Sequence, residues 1–315
     1  MLLTKTEWIW MNGKFVKWDD AHIHVMSHVV SYGSSVFEGM RIYKTVNGPA
    51  AFRLGDHTER LFNSAKVYRM KIDFTPEQID NAILELAARN GVEEGYVRPI
   101  VFRGYGTLGV DPTAAPVDVA IACYPWGRYL GEDAIENGVS VCFSSWHRMA
   151  PNTIPAMVKA GGNYLNSALI KLEARSHGYA EGIALDVYGH VSEGSGENIF
   201  MVRKGTLITP TFTSSILPGI TRNTVIRLAD DMGIKIIEQN IPREAIYFAD
   251  EVFLTGSAAE ITPIAQVDNI PIGSGKRGPI TQKIQSAFFD ILAGKVADKY
   301  GWLTPVPKPA KVAVR

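Results

Sequence analysis

Cysteine is scarce in this sequence: Cys123 and Cys142 are the only two among 315 residues. Two thiols cannot build a disulfide framework or a four-cysteine metal site, so no metal ligand set is picked out and a reducing compartment is the default. An excess of charge is missing too, with 32 basic residues against 32 acidic ones. That balance gives no ground for nucleic acid or an anionic membrane as partner, since both favour strongly basic surfaces. No run approaches the roughly 18 uninterrupted apolar residues of a spanning helix. Residues 1–15 carry Lys5 and Glu7 and no apolar stretch of signal-peptide length, so a cytoplasmic protein is expected. No internal repeat is visible. The ending TPVPKPAKVAVR (304–315) is basic and punctuated by proline, and reads as a disordered tail.

What is present is apolar residue: 46% of the chain, enough for a large core, over a length that suits two domains. Asn12-Gly13, Asn47-Gly48 and Lys204-Gly205 each divide two strand-like runs and predict hairpins. TPEQIDNAILELAARNG predicts a helix with Thr75 as N-cap, Pro76 in its first turn and Gly91 beyond its end. Asp56 is placed as the cap of the helix before it. NYLNSALIKLEARSHG predicts a helix capped by Asn163, with Leu165, Ala168, Leu169 and Leu172 on its inner face and Lys171 and Arg175 outside. Helices alternate with tight hairpins, which favours α+β over a doubly wound parallel sheet. YPWGRYLGEDAI has two glycines and no periodicity. The expected organisation is a small domain over 1–124, a linker over 125–135 and a large domain over 136–303.

One lysine stands in an odd place. In AMVKAGGNYLNS, Lys159 has only small or apolar neighbours, and a buried amine is costly unless it is paired, neutral or used chemically. Four further stretches stand out, and two of them share a logic. LPGITR and LTGSAAE are glycine turns at element ends, where backbone N–H groups bind phosphate; Thr221 and Ser257 add hydroxyls. EGSGE puts Glu193 and Glu197 around a Gly-Ser-Gly turn, and Arg60 in DHTERLF adds charge. Each piece alone reads equally well as a cap, a turn or a snorkelling lysine. Together they are the parts needed for pyridoxal phosphate: an amine for the Schiff base, a phosphate cradle, and a carboxylate for the pyridinium nitrogen.

The ordered motifs SYGSSVFEGMRIY, HTERLFNSA, GYVRPIVFRGYGTLGV, PAMVKAGGNYLNS, VSEGSGENIF, LPGITR and TGSAAEITP resemble the branched-chain amino acid aminotransferases, fold-type IV pyridoxal-phosphate enzymes. The resemblance runs over nearly the whole chain. It implies a second domain with a mixed, barrel-like sheet, and transamination between leucine, isoleucine or valine and 2-oxoglutarate. It implies Lys159 as the Schiff-base lysine and proton carrier, Glu193 as partner of the pyridine nitrogen and Tyr164 as partner of the 3′-oxygen. Arg60, Leu217, Gly219, Ile220, Thr221, Gly256 and Ser257 complete the cofactor site, with Ser257 where the family often has threonine. On the substrate side it implies Tyr96, Ser257, Ala258 and Ala259 at the α-carboxylate and Arg98 at the distal carboxylate of glutamate. Tyr32, Phe37, Gly39, Leu108, Val110, Trp126 and Tyr129 line the side-chain pocket.

The family's sites are completed by a loop of a neighbouring subunit, so a homodimer or higher homo-oligomer is implied, a hexamer built as a trimer of dimers included. Two enzymes of the same fold remain as alternatives, a D-amino acid transaminase and an aminodeoxychorismate lyase. A non-catalytic ligand-binding homologue is the third.

Overall fold

The computed structural model describes residues 3–127, 130–131 and 133–308. The chain divides into two compact units of almost equal length. The first runs to Gly127, takes in Val158–Gly162 and resumes at Asp290; the second holds the rest. The first break lies inside the expected linker. The short Val158–Gly162 segment, with Lys159, groups with the first unit although the sequence placed it in the second.

The first unit is built on one antiparallel sheet. Its spatial order is Leu303–Pro305, Gly48–Phe52, Met40–Thr45, Gly95–Arg103, Val117–Tyr124, Trp8–Met11 and Lys14–Lys17, with Ser35–Phe37 also on Gly95–Arg103. Asn12 and Gly13 close the first hairpin with positive φ, 47° and 86°. Helices Leu54–Val67 and Pro76–Arg89 cover one face of the sheet. Leu61, Ala65, Ile79, Ile83 and Leu86 there share a core with Val97, Val101, Val119 and Ile121. Alternation along a strand then turns Tyr96 and Arg98 to the opposite face. Thr75 caps the second helix in a full capping box with Gln78, as its sequence predicts. Asp56 does not cap the first: that position is Arg53, in left-handed conformation, and Asp56 in the first turn binds its guanidinium at 2.8 and 2.9 Å.

The second unit carries a nine-stranded mixed sheet. Its order is Val191–Gly194, Glu181–Leu185, Val139–Phe143, Glu260–Val267, Glu251–Gly256, Asn198–Arg203, Thr206–Thr209 and Ile236–Glu238, with Ile270–Pro271 beside Glu260–Val267. Val139–Phe143 runs parallel to both of its neighbours, which gives the sheet its mixed character.

Four expectations fail. Helix Tyr164–Ser176 buries Ser167, Ile170 and Ala174, while Leu165, Leu169 and Leu172 are exposed. The cause is proximity. A Cβ on Gly182 of the neighbouring strand would stand 2.8 Å from Ile170, so only a narrow stripe fits inward. Lys171 is half-buried on Glu181 at 2.6 Å rather than outside. Asn163 occupies the N-cap position without a capping bond and donates its amide to the Pro155 carbonyl at 3.1 Å. The tail, in turn, is ordered at its start. Leu303–Pro305 pairs with Ala50–Phe52, and the Val306 N–H donates to the Pro49 carbonyl at 2.8 Å. An edge strand tolerates proline because one row of its N–H groups has no ladder to join. Residues 309–315 lie outside the described residues. Cys123 and Cys142 are buried, and burial pushes their thiols up to about 12 and about 11, so neither is a reactive thiolate.

Candidate active site

Lys159 is buried, with 9% of its surface exposed. Its backbone is fixed on both sides: the N–H donates to Ser64 Oγ at 3.2 Å and the carbonyl accepts from the Phe37 N–H at 3.0 Å. The small residues after it are required by close approach. A Cβ on Gly161 would meet Ser35 Oγ at 2.3 Å. The amine Nζ stands 4.9 Å from the centre of the Phe37 ring.

Phe37 leads to a second cation. The Arg98 guanidinium is 4.7 Å from the Phe37 ring and 5.3 Å from the Tyr96 ring. Tyr96 in turn lies 5.6 Å from Trp126. Arg98 Nε and Trp126 Nε1 are buried and have no hydrogen-bond partner among the described residues. Buried donors without acceptors cost about 1–3 kcal/mol each. In an aromatic enclosure, an anionic substrate group is the acceptor that would remove that cost. Gly39 makes room for this cluster, because a Cβ there would lie 1.9 Å from the Tyr96 hydroxyl.

Beneath these residues is a charged hub that sequence reasoning missed. Glu38 is fully buried. Its carboxylate accepts from Arg60 Nε at 2.6 Å, Arg60 Nη2 at 2.9 Å and His57 Nδ1 at 2.7 Å. Burial by itself would push the Glu38 carboxyl up; the Arg60 and His57 charges and bonds overcome it and hold the group well below the usual carboxylate range. His57 moves down, first through burial. His57 and Arg60 are three apart on one helix face, a spacing visible in the sequence, but their anion comes from a distant strand end.

In the second unit, Glu193 is buried and held at both oxygens. Arg148 Nη2 lies 2.8 Å from Oε1. The Leu217 N–H donates to Oε2 at 3.0 Å and Asn198 Nδ2 at 3.1 Å. Asn198 also donates to the Leu217 carbonyl at 2.9 Å, tying the glutamate strand to the LPGIT turn. Helix Ile220–Asp231 begins right after that turn, with Gly219 at its N-cap and no side chain capping it. Gly219 is dictated by contact: a Cβ would stand 1.9 Å from Asn198 Oδ1. Ile220 and Thr221 are buried in the first turn. Glu197 contrasts with Glu193. Among the described residues its carboxylate receives only the Gly196 N–H, at 3.0 Å, and burial, then the Glu181 charge, pushes it up to about 8. Strand Glu251–Gly256 turns through Ser257, Ala258 and Ala259 into Glu260–Val267.

Residues 35–267 match the amino-transferase class IV family model. A branched-chain-amino-acid aminotransferase of Escherichia coli is 51% identical over 307 residues, which cover 97% of this chain and 99% of that protein. The chain belongs to the branched-chain-amino-acid aminotransferases of class IV. A crystal structure of the Escherichia coli enzyme superposes with a TM-score of 0.95 at 51% identity, covering 96% of this chain and 100% of that one. The T.th. branched-chain amino acid aminotransferase, complexed with N-(5′-phosphopyridoxyl)-L-glutamate, gives 0.92 at 45% identity, covering 96% and 99%.

Within this class IV aminotransferase, the first unit brings together Lys159, Phe37, Gly39, Tyr96, Arg98 and Trp126 from the expected set. The second gathers Glu193 with Leu217, Gly219, Ile220 and Thr221. Tyr164, half-buried, opens the helix Tyr164–Ser176. Arg60 is engaged by Glu38. Tyr32, Leu108 and Val110 do not join the Phe37 cluster; they are exposed on the first unit, Val110 at 90%. Tyr129 lies outside the described residues. Beyond Glu38 and His57, the sequence reading also missed Arg148, whose only local signal is the apolar strand Val139–Phe143 that ends five residues before it.

Proposed function

We propose that this protein transfers the amino group of L-leucine, L-isoleucine or L-valine to 2-oxoglutarate, giving the branched-chain 2-oxo acid and L-glutamate, with pyridoxal 5′-phosphate as cofactor. The observation that carries this reading is Lys159, a buried amine locked through its own backbone beside a ring that also carries Arg98. The donor set fits the cofactor. A buried carboxylate braced by Arg148, Asn198 and a backbone N–H is suited to a protonated ring nitrogen, and a glycine-led helix start is suited to a phosphate.

Lys159, Tyr164, Glu193, Arg60, Leu217, Gly219, Ile220, Thr221, Gly256 and Ser257 would hold the cofactor. When bound, it supplies the carbonyl that carries the amino group between substrates and the ring that takes up the electrons of the broken C–H bond. Lys159 would take the α-proton of the amino acid and deliver it to the cofactor carbon that bears the transferred nitrogen, which leaves the α-carbon at the oxidation level of the oxo acid. Glu193, ion-paired with Arg148, would meet the ring nitrogen and favour its protonated form. Tyr96 with the Ser257-Ala258-Ala259 turn holds the α-carboxylate. Phe37, Gly39, Trp126, Tyr129, Tyr32, Leu108 and Val110 wall the side-chain pocket and exclude water. Arg98 at its rim lets the same pocket take a glutamate side chain; the glutamate adduct bound by the T.th. relative supports that role.

We read the enzyme as a homodimer or larger homo-oligomer, a trimer of dimers included. Two features support this: the exposed stripe of Leu165, Leu169 and Leu172, and the exposure of Tyr32, Leu108 and Val110, which a site completed by a second copy would use. No helix among the described residues is long and apolar enough to cross a membrane, and the cytoplasm is the proposed location. The deciding experiment incubates the protein with pyridoxal phosphate, 2-oxoglutarate and either L-leucine or D-alanine. L-Glutamate should appear with leucine. Turnover with D-alanine and none with leucine would move the protein to the D-amino acid transaminases.

A further inference from the structure

We propose that His28 is a positioning residue that sets the side-chain preference of this enzyme, by fixing the loop that carries Leu108 and Val110 together with Tyr32. The inference rests on reading those three residues as walls of the side-chain pocket.

The loop needs an anchor. It joins the antiparallel strands Gly95–Arg103 and Val117–Tyr124 from Gly104 to Pro116, far longer than the two to five residues or so that such a connection requires. Gly106 and Gly109 both take positive φ, and a Cβ on Gly109 would touch nothing within 4 Å. Leu108 and Val110, on either side of Gly109, are exposed. Packing within the loop therefore does little to hold its tip.

His28 reaches that tip from a different part of the chain. It is buried, at the start of the short helix His28–Tyr32. Its backbone N–H donates to the Gly104 carbonyl at 3.0 Å, at the root of the loop. Its Nε2 lies 2.8 Å from the Gly109 carbonyl, between the two wall residues. Its Nδ1 lies 2.7 Å from Ser34 Oγ, just ahead of Ser35–Phe37. Its ring stacks on Tyr32 at 4.4 Å with 27° between the planes. A carbonyl only accepts, so Nε2 carries the hydrogen. In the neutral ring Nδ1 then accepts from the Ser34 hydroxyl. One imidazole thus sets the tip of the loop, the Tyr32 ring and the entry to the Phe37 strand relative to one another. A histidine that only filled core would have no need of a bond landing on the carbonyl between Leu108 and Val110.

The test compares His28→Phe, His28→Gln and Val110→Ala as holoenzymes. Phenylalanine keeps the bulk and the stacking and loses both ring hydrogen bonds. Glutamine keeps an N–H to offer Gly109. For each, KM and kcat are measured with L-leucine and L-valine, along with the pyridoxal phosphate dissociation constant and amide hydrogen exchange over 104–110. His28→Phe should raise KM for leucine about tenfold, the scale of one or two lost hydrogen bonds. It should change the leucine-to-valine ratio, leave cofactor affinity unchanged and speed exchange at the loop tip; His28→Gln should recover most of this. Unchanged KM in His28→Phe while Val110→Ala shifts the ratio would overturn the proposal. So would an equal loss for both substrates with weakened cofactor binding, which marks a merely structural residue. If Val110→Ala itself leaves the ratio unchanged, the pocket reading fails and the proposal fails with it.

Discussion

The two units hold their functional charges by different means. In the first, cations rest on aromatic faces: Lys159 and Arg98 share the Phe37 ring, and Arg98 also faces Tyr96. In the second, a carboxylate is held by hydrogen-bond donors and a paired cation: Glu193 receives the Leu217 N–H and Asn198 and is ion-paired with Arg148, beside Gly219, where a Cβ would not fit. Side chains of varied shape can discriminate between substrates, because each presents a different surface. Backbone donors are nearly independent of residue type and suit a group that never changes, such as a cofactor phosphate or ring. On the proposed reading, the side-chain pocket belongs to the first unit, and the partner of the ring nitrogen and the glycine-led helix start belong to the second.

The largest expected effect tests the amine. Lys159→Ala should abolish glutamate formation from leucine and 2-oxoglutarate, with thermal unfolding little changed. The hydrogen bonds to Ser64 and Phe37 involve its backbone, and alanine keeps them. Substantial remaining turnover would refute the role of Lys159.

Next comes the pair of glutamates on one turn. Glu193→Gln should slow kcat about a hundredfold, the scale for removing one fixed electrostatic partner of a reacting group. Glu197→Gln should change kcat little, since that carboxyl is buried, takes the Gly196 N–H and, among the described residues, lacks the arginine partner that Glu193 has. Equal losses in the two variants would break the distinction between them.

Arg98→Met probes the first unit directly. KM for 2-oxoglutarate should rise roughly ten- to a hundredfold, for a lost charge-assisted contact of about 1.5–3 kcal/mol, while KM for leucine changes much less. Equal rises together with a lowered melting temperature would make Arg98 structural, engaged by Tyr124.

The smallest effect concerns stability. The Glu197 carboxyl titrates near 8 in the folded chain against an ordinary 4.5, so the folded state holds its proton more tightly than the unfolded one. Its contribution is fully present below about 4.5 and is lost as pH rises through about 8. Glu197→Gln should therefore stabilise the protein at pH 8, read as a raised melting temperature, and flatten the pH profile of unfolding across that window. A melting temperature lowered equally at pH 5 and pH 8 would show that the carboxyl is not the source of the cost.

Much of the site is legible in the sequence for local reasons. Lys159 is marked by the small residues beside it, of which Gly161 lies too close to Ser35 for a Cβ, and Gly219 by the turn that packs on Asn198. The capping box at Thr75 and the hairpin at Asn12-Gly13 are set within a few residues and form as expected. The inner face of helix Tyr164–Ser176 is not legible, because the sheet surface it meets has room for Ile170 and Ala174 and none for a row of leucines.

The sequence by itself determined the family, the α+β class, the buried lysine among small residues and the glycine turns, since each depends on chemistry contained in a short window. Only the tertiary structure revealed Glu38 under Arg60, Arg148 under Glu193 and His28 under Gly109. These partners are 22, 45 and 81 residues apart. A buried charge or polar ring must find its counterpart in space, and no periodicity along the chain records where that counterpart will be.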